Sequence, residues 1–387
     1  MRRHYRFPVR TLTLAVALAG LAGCSTLDAI NPFSSKDKVK MADLPALKPS
    51  VDVKTLWSDS VGKAEGYSFV PAVAGERVFA AGRNGVVAAF EGGKRVWKSD
   101  VDQKLSAGVG SDGKLVVVAT AKGDVIALSA VDGKVLWRAK AGSEVLAPPA
   151  VSSDLIVVKG SDYRLFAFDP ADGRKKWTYQ RQTPPLALRS TSPVLIADRY
   201  VFSGFPGGKL VAVASNNGAA LWEGAVALPK GTTELDRIAD VVAPPVLEGN
   251  QICAVAFQGR IACFDLQNGN SLWARDFSST VGLAMDNRQV YAVDEKGGIH
   301  ALDRYSGSSV WKQDKLSLRG VSAPVIRRGV VVAADVQGYV HVLNRDNGSF
   351  IGRTATDGSP VTAPLVAQGA GFVVQTQKGG VFALDVQ

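Results

Sequence analysis

Residues 125–137 read VIALSAVDGKVLW, and residues 299–311 read IHALDRYSGSSVW. Each stretch joins a short apolar run to a second run that ends in Trp. Between the runs, five residues before the Trp, begins a turn pair, Asp132-Gly133 or Ser306-Gly307. Apolar runs separated by such pairs read as β-hairpins, and Asp-Gly or Asn-Gly pairs predict type I′ turns with both central residues at positive φ.

The unit recurs along the chain. The seven tryptophans, Trp57, Trp97, Trp137, Trp177, Trp222, Trp273 and Trp311, are spaced 40, 40, 40, 45, 51 and 38 residues apart. Asp172-Gly173, Asn217-Gly218 and Asn268-Gly269 hold the same offset from their Trp. Asn347-Gly348 continues the series, with Gly352 where the next Trp would stand. Upstream of the hairpins come another β-rich run and an opening such as Ala147-Pro148-Pro149, Ser192-Pro193 or Ala323-Pro324. Four short strands in about 40 residues make a propeller blade. Residues 51–387 divide into eight units of about 42 residues, and the last lacks its Trp-ending strand. Lys54-Thr55-Leu56-Trp57 is such a strand without a blade of its own. The prediction is an all-β, eight-bladed propeller of four-stranded antiparallel blades, closed by the N-terminal strand pairing into the last blade, which leaves no open edge there. Each Trp is expected to pack across the seam to a neighbouring blade.

The N-terminus carries a different signal. Residues 1–10 hold four arginines and no acid, and TLTLAVALAGLAG follows at 11–23, ahead of Cys24. The stretch Leu21-Ala22-Gly23-Cys24 resembles a bacterial lipobox, which implies cleavage before Cys24 and acylation of that cysteine. Ser25 stands where an Asp would favour retention at the inner membrane, so the resemblance implies the periplasmic face of the outer membrane. The expected organisation is a signal peptide at 1–23, a lipidated flexible tether at 24–50 rich in Ser, Pro, Lys and Asp, and the propeller at 51–387. Loss of the four arginines takes the formal net charge from +10 to +6. That is mildly basic and no nucleic-acid signature.

Composition narrows the chemistry. Three histidines and three cysteines in 387 residues leave little for a His-based metal site or a disulfide scaffold. Cys253 and Cys263 flank Gln258-Gly259. A two-residue loop there places them on opposite faces, while a turn one residue longer opposes them directly. The reading inclines to free, buried thiols. His300 and His341 hold matching repeat positions and read as packed or partly exposed. The repeats resemble those of quinoprotein dehydrogenases, and the alternative function is a periplasmic dehydrogenase using pyrroloquinoline quinone and calcium. No Cys-Cys pair is present, and Asp132, Asp172, Asp265, Asp303 and Asp385 recur at equivalent places as turn or strand-end residues. No catalytic residue, metal ligand or cofactor is expected.

Departures from the period point to function. The two long Trp intervals place extra residues in consecutive connections between blades, which should form one raised patch. The first is TPPLALRSTSP at 183–193, with Leu186, Leu188 and Arg189 expected on the surface as interface anchors. The second is GTTELDRIADVV at 231–242, where Thr233 is expected to cap a short helix and Asp236 and Asp240 to lie beside Arg189. A lipobox with Ser25, eight such blades, L-x-L-R before Ser-Pro and T-E-L-D-R-x-x-D before Pro-Pro together resemble the BamB family, lipoproteins of the outer-membrane β-barrel assembly (BAM) machinery. The resemblance covers essentially the whole mature chain. It implies a non-catalytic scaffold in the BAM complex that binds the periplasmic POTRA domains of BamA through Leu186, Leu188, Arg189 and Asp240. It leaves open direct binding of unfolded outer-membrane proteins. Val242 stands where that family is expected to carry a second acid, so the acidic contribution is either weaker here or shifted to Asp236.

Overall fold

The structure is a computed structural model that describes residues 40–387. Cys24, the predicted signal peptide and most of the predicted tether therefore lie outside the described residues. Among the described residues, thirty-two strands form eight four-stranded antiparallel sheets. Seven sheets use consecutive strands, and their blades span residues 72–100, 105–140, 150–179, 195–225, 246–276, 283–313 and 325–355. The eighth takes three strands from residues 366–386, and its outermost strand is Val53–Ser60. The register there runs from Val53 opposite Val386 to Ser60 opposite Gly380, so the predicted closure is the observed one.

Side-chain alternation explains the layering. The middle strands are covered on both faces and are buried throughout, as in Val330–Ala334 and Gln251–Val255. Outermost strands such as Lys175–Tyr179 alternate with exposed polar residues, the pattern of a strand with one solvated side. There is no single core. Eight buried apolar clusters, one for each pair of neighbouring blades, hold the ring together at its seams.

The tryptophans lock those seams from outside. The Trp97 indole N–H donates to the Ala130 carbonyl at 3.0 Å, Trp137 to Pro170 at 2.9 Å, and Trp177 to Ser215 at 2.8 Å. Trp222, Trp273 and Trp311 donate likewise to Leu266, Arg304 and Arg345. Each acceptor lies just ahead of the turn glycine of the following blade, and the ring lies flat on that glycine. A Cβ added at Gly133 would come within 2.5 Å of Trp97, and one at Gly218 within 2.6 Å of Trp177. These turns differ from the expected type I′. The glycine has positive φ and the Asp or Asn before it does not. The Gly133 N–H donates to Ser129 and the Ser129 N–H to Lys134, which closes a four-residue loop. At Gly352 the Trp is absent because the N-terminal segment fills its place; a Cβ there would lie 2.8 Å from Val51 and 3.1 Å from Val53.

Residues 42–50, assigned to the tether from sequence, already lie along blade 7 and the connection that leads into it. The Ala42 N–H donates to Ser317 and the Ser50 N–H to Ile351. Arg319 and Arg353 donate to the Ala42 and Pro45 carbonyls at 2.9 and 2.8 Å. Arg319 is buried against Asp335, which also meets His341 at 2.9 Å, and His300 meets Asp294 at 2.8 Å. The two matching histidines are thus partners of buried or half-buried carboxylates.

The cysteines correct the sequence reading. Cys253 and Cys263 sit directly opposite on adjacent strands and form a disulfide. The reason is the turn: the Ala256 N–H donates to Arg260, and three residues, Phe257, Gln258 and Gly259, make the loop. Gln258 takes the left-handed conformation. The longer turn shifts the register by one residue and brings the cysteines face to face.

Candidate functional site

The two long connections run from blade 3 to blade 4 and from blade 4 to blade 5, and residues 180–194 and 226–245 contain neither helix nor strand. They meet as expected, through one carboxylate. Asp240 Oδ2 accepts the Leu188 N–H at 2.7 Å, and Oδ1 accepts the Gly207 N–H at 3.0 Å. The Asp240 carbonyl accepts the Phe257 N–H at 2.9 Å. Asp240 is only 1% exposed, so it lies beneath the patch as a strut and not on its surface. Its sequence assignment as a contact residue is corrected on that ground: two backbone amides of otherwise unpaired loops need an acceptor when buried.

The surface belongs to other residues. Leu186 is 44% exposed at the crest of the first connection, while Leu188 is half-buried. Leu228 and Leu235, in the second connection, are more exposed still. Each of the two connections thus carries open aliphatic side chains. Arg189 is exposed beside them. It pairs with Glu144 of the blade 2–3 connection at 2.7 Å, and not with Asp236 or Asp240.

Asp236 is exposed and belongs to a local turn. Its carboxylate accepts the Thr233 hydroxyl at 2.7 Å and the Thr233 N–H at 3.1 Å, and these bonds hold its carboxyl below the ordinary aspartate value. The Asp236 N–H donates back to the Thr233 hydroxyl. The expected cap is present, but the chain makes one turn where a short helix was predicted.

Sequence reading missed three residues under the patch. Tyr163 donates its hydroxyl to the Leu188 carbonyl. Lys159 is buried with its ammonium 2.6 Å from the Gly204 carbonyl and 5.5 Å from the Tyr163 and Phe205 rings. Burial pulls its pKa down to about 7, against the upward pull of the Asp240 charge. Burial, with Asp240 nearby, pushes the Tyr163 phenol up, so it stays a hydroxyl donor. Glu144, the partner of Arg189, is the third. Only Tyr163 left a trace in the sequence. It stands in the strand-connecting turn where Gly85, Gly123, Gly297, Gly338 and Gly379 stand in other blades, and it keeps their positive φ, at 64°.

This surface presents open aliphatic groups and the exposed guanidinium groups of Arg189 and Arg237 on a loop whose backbone is held from below. The family model described as "Outer membrane protein assembly factor BamB" matches residues 83–313. A relative of that name from Bordetella pertussis is 42% identical, with 98% of each chain covered. The crystal structure of BamB from Moraxella catarrhalis superposes with a TM-score of 0.80 at 27% identity, covering 86% of this chain and 99% of that one. A quinohemoprotein alcohol dehydrogenase from Comamonas testosteroni superposes at 0.69 with 14% identity, over 86% of this chain and 76% of its own, a likeness of fold alone. Identity of this order along nearly the whole length, with the matching propeller, means that the chain belongs to the BamB family of outer-membrane protein assembly factors.

Proposed function

We propose that this protein is a non-catalytic scaffold of the BAM complex, held at the periplasmic face of the outer membrane by acylated Cys24. In this reading it docks onto the POTRA domains of BamA with the patch built from the two long connections. The observation that carries it is the exposed Leu186–Arg189 segment, raised on a rigid ring and tied down from below. An exposed leucine beside an accessible Arg, on a loop whose backbone is already held, is what an interface anchor requires. Leu186, Leu188 and Arg189 make the contact, with Asp236 as the accessible acid and Asp240 as the support. The assembly-factor names of the relatives favour this reading over a quinone-dependent dehydrogenase. Among the described residues, no three His, Cys, Asp or Glu side chains converge to hold a metal.

The test is purification of the acylated chain from detergent-solubilised outer membranes, beside an Arg189→Glu variant. Recovery of a BamA-type barrel protein with the native chain and its loss with the variant is the expected result. Recovery of no barrel protein, with dye-linked alcohol oxidation after addition of quinone and calcium, would replace the scaffold with the dehydrogenase.

A further inference from the structure

A loop of eleven residues without regular structure loses much conformational freedom when it binds, unless the fold has already restricted it. Residues 183–193 are restricted at one point above all. Leu188 is gripped on both sides of its own backbone, its N–H by Asp240 and its carbonyl by the Tyr163 hydroxyl. The two grips come from different parts of the ring. Tyr163 belongs to the turn between the middle strands of blade 3, and Asp240 to the connection from blade 4 to blade 5. The second oxygen of Asp240 holds Gly207, whose turn also passes close to Pro184 of the loop.

Tyr163 occupies its position against backbone preference. In blades 1, 2, 6, 7 and 8 the residue whose N–H closes this turn onto the carbonyl three residues earlier is glycine, at positive φ. Tyr163 makes the same bond, to Gly160, in the same left-handed conformation. A bulky residue rarely adopts that conformation, and when it does the surrounding structure has a use for its side chain. Here the hydroxyl reaches Leu188, and the ring lies beside the buried Lys159 ammonium, which in turn binds Gly204.

We infer that Tyr163 and Asp240 are positioning residues that preset the Leu186–Arg189 segment for its partner by fixing the Leu188 backbone. This rests on the docking reading above. Tyr163 and Asp240 act through Leu188.

Three measurements on the full-length mature chain test it: affinity for the purified POTRA region of a BamA-type partner, hydrogen exchange across residues 183–190, and thermal melting. Tyr163→Phe keeps the ring and removes one hydrogen bond. It is expected to speed exchange in the loop, leave melting nearly native and weaken binding about three- to ten-fold. Tyr163→Gly relieves the backbone strain but also removes a ring packed against the cluster between blades 3 and 4, so it is expected to melt no higher than the native chain while binding at least as weakly as the Phe variant. Weakened binding and faster loop exchange with an unmoved melt, as expected of Tyr163→Phe, is a result that a merely structural residue does not produce. If both Tyr163 variants bind with native affinity while Leu188→Ala binds weakly, docking by the loop stands and the positioning role is overturned. If Leu186→Ala and Leu188→Ala also bind natively, the docking reading itself falls.

Discussion

The seams of the ring and the patch between blades 3, 4 and 5 are held by opposite means. At each of six seams an indole lies on a turn glycine and donates to a carbonyl just before it, and the same geometry repeats around the ring. At the patch, every important contact occurs once: Asp240 to two amides, Tyr163 to a carbonyl, Arg189 to Glu144, Lys159 to Gly204. Repeated apolar packing makes a rigid frame. Singular polar contacts, anchored on that frame, shape a surface that only one face of the molecule presents. Stability should therefore reside in the first and recognition in the second, and each can be disturbed separately.

The largest effect is expected at the closure. Removing residues 53–60 strips the outermost strand from blade 8 and uncovers its seam with blade 1, for a loss beyond ~5 kcal/mol, well outside the range of ordinary single substitutions. A melt unmoved by that truncation would show that the N-terminal strand does not hold the ring. Next comes a single seam far from the patch. Trp311→Ala is expected to cost ~3–5 kcal/mol by leaving a cavity on Gly348, and partner binding measured below its melting temperature should stay native. Weakened binding there would blur the separation of frame from surface.

The disulfide is expected to matter less. Cys253→Ser with Cys263→Ser, or reduction of the native chain, opens a loop of about ten residues and should cost ~2–3 kcal/mol on the chain-entropy account. A melt unmoved by reductant would contradict the pairing. Smallest over a single pH unit is a pH slope. Lys159 titrates at about 7 in the fold and near 10.4 when unfolded, so between these values the unfolded chain binds more protons. Stability is then expected to rise with pH from about 7 towards 10, by at most ~1.4 kcal/mol per pH unit from this group. Lys159→Met should remove that contribution, which paired melts across the range would detect as a flatter profile.

This division also governs what could be read from the sequence. The Trp ladder, the turn glycines and the orphan strand at Lys54–Trp57 are periodic or conspicuously unmatched, so blade number and closure were legible. The raised patch was legible as an interruption of the period, and Leu186 and Arg189 as residues without a core to join. Asp240 was assigned as a contact residue by the family resemblance, and nothing local reveals that Leu188 and Gly207 would point two amides at it. The disulfide turned on a single residue of loop length, and hydrophobic pattern does not specify that. The tether's last residues looked featureless because the groups that hold them, Arg319 and Arg353, lie more than 270 and 300 residues away in sequence.

The most direct test of the account is a binding titration of the mature chain with the POTRA region of a BamA-type protein, comparing Leu186→Ala, Leu188→Ala and Arg189→Glu with Trp311→Ala and the native chain. Each patch variant is expected to keep a native melt within about 0.5 kcal/mol of stability. The strongest of them should lose about thirty-fold in affinity, equivalent to ~2 kcal/mol, while Trp311→Ala melts early and binds natively when folded. Native affinity in all three patch variants, with native melts, would contradict docking through this surface.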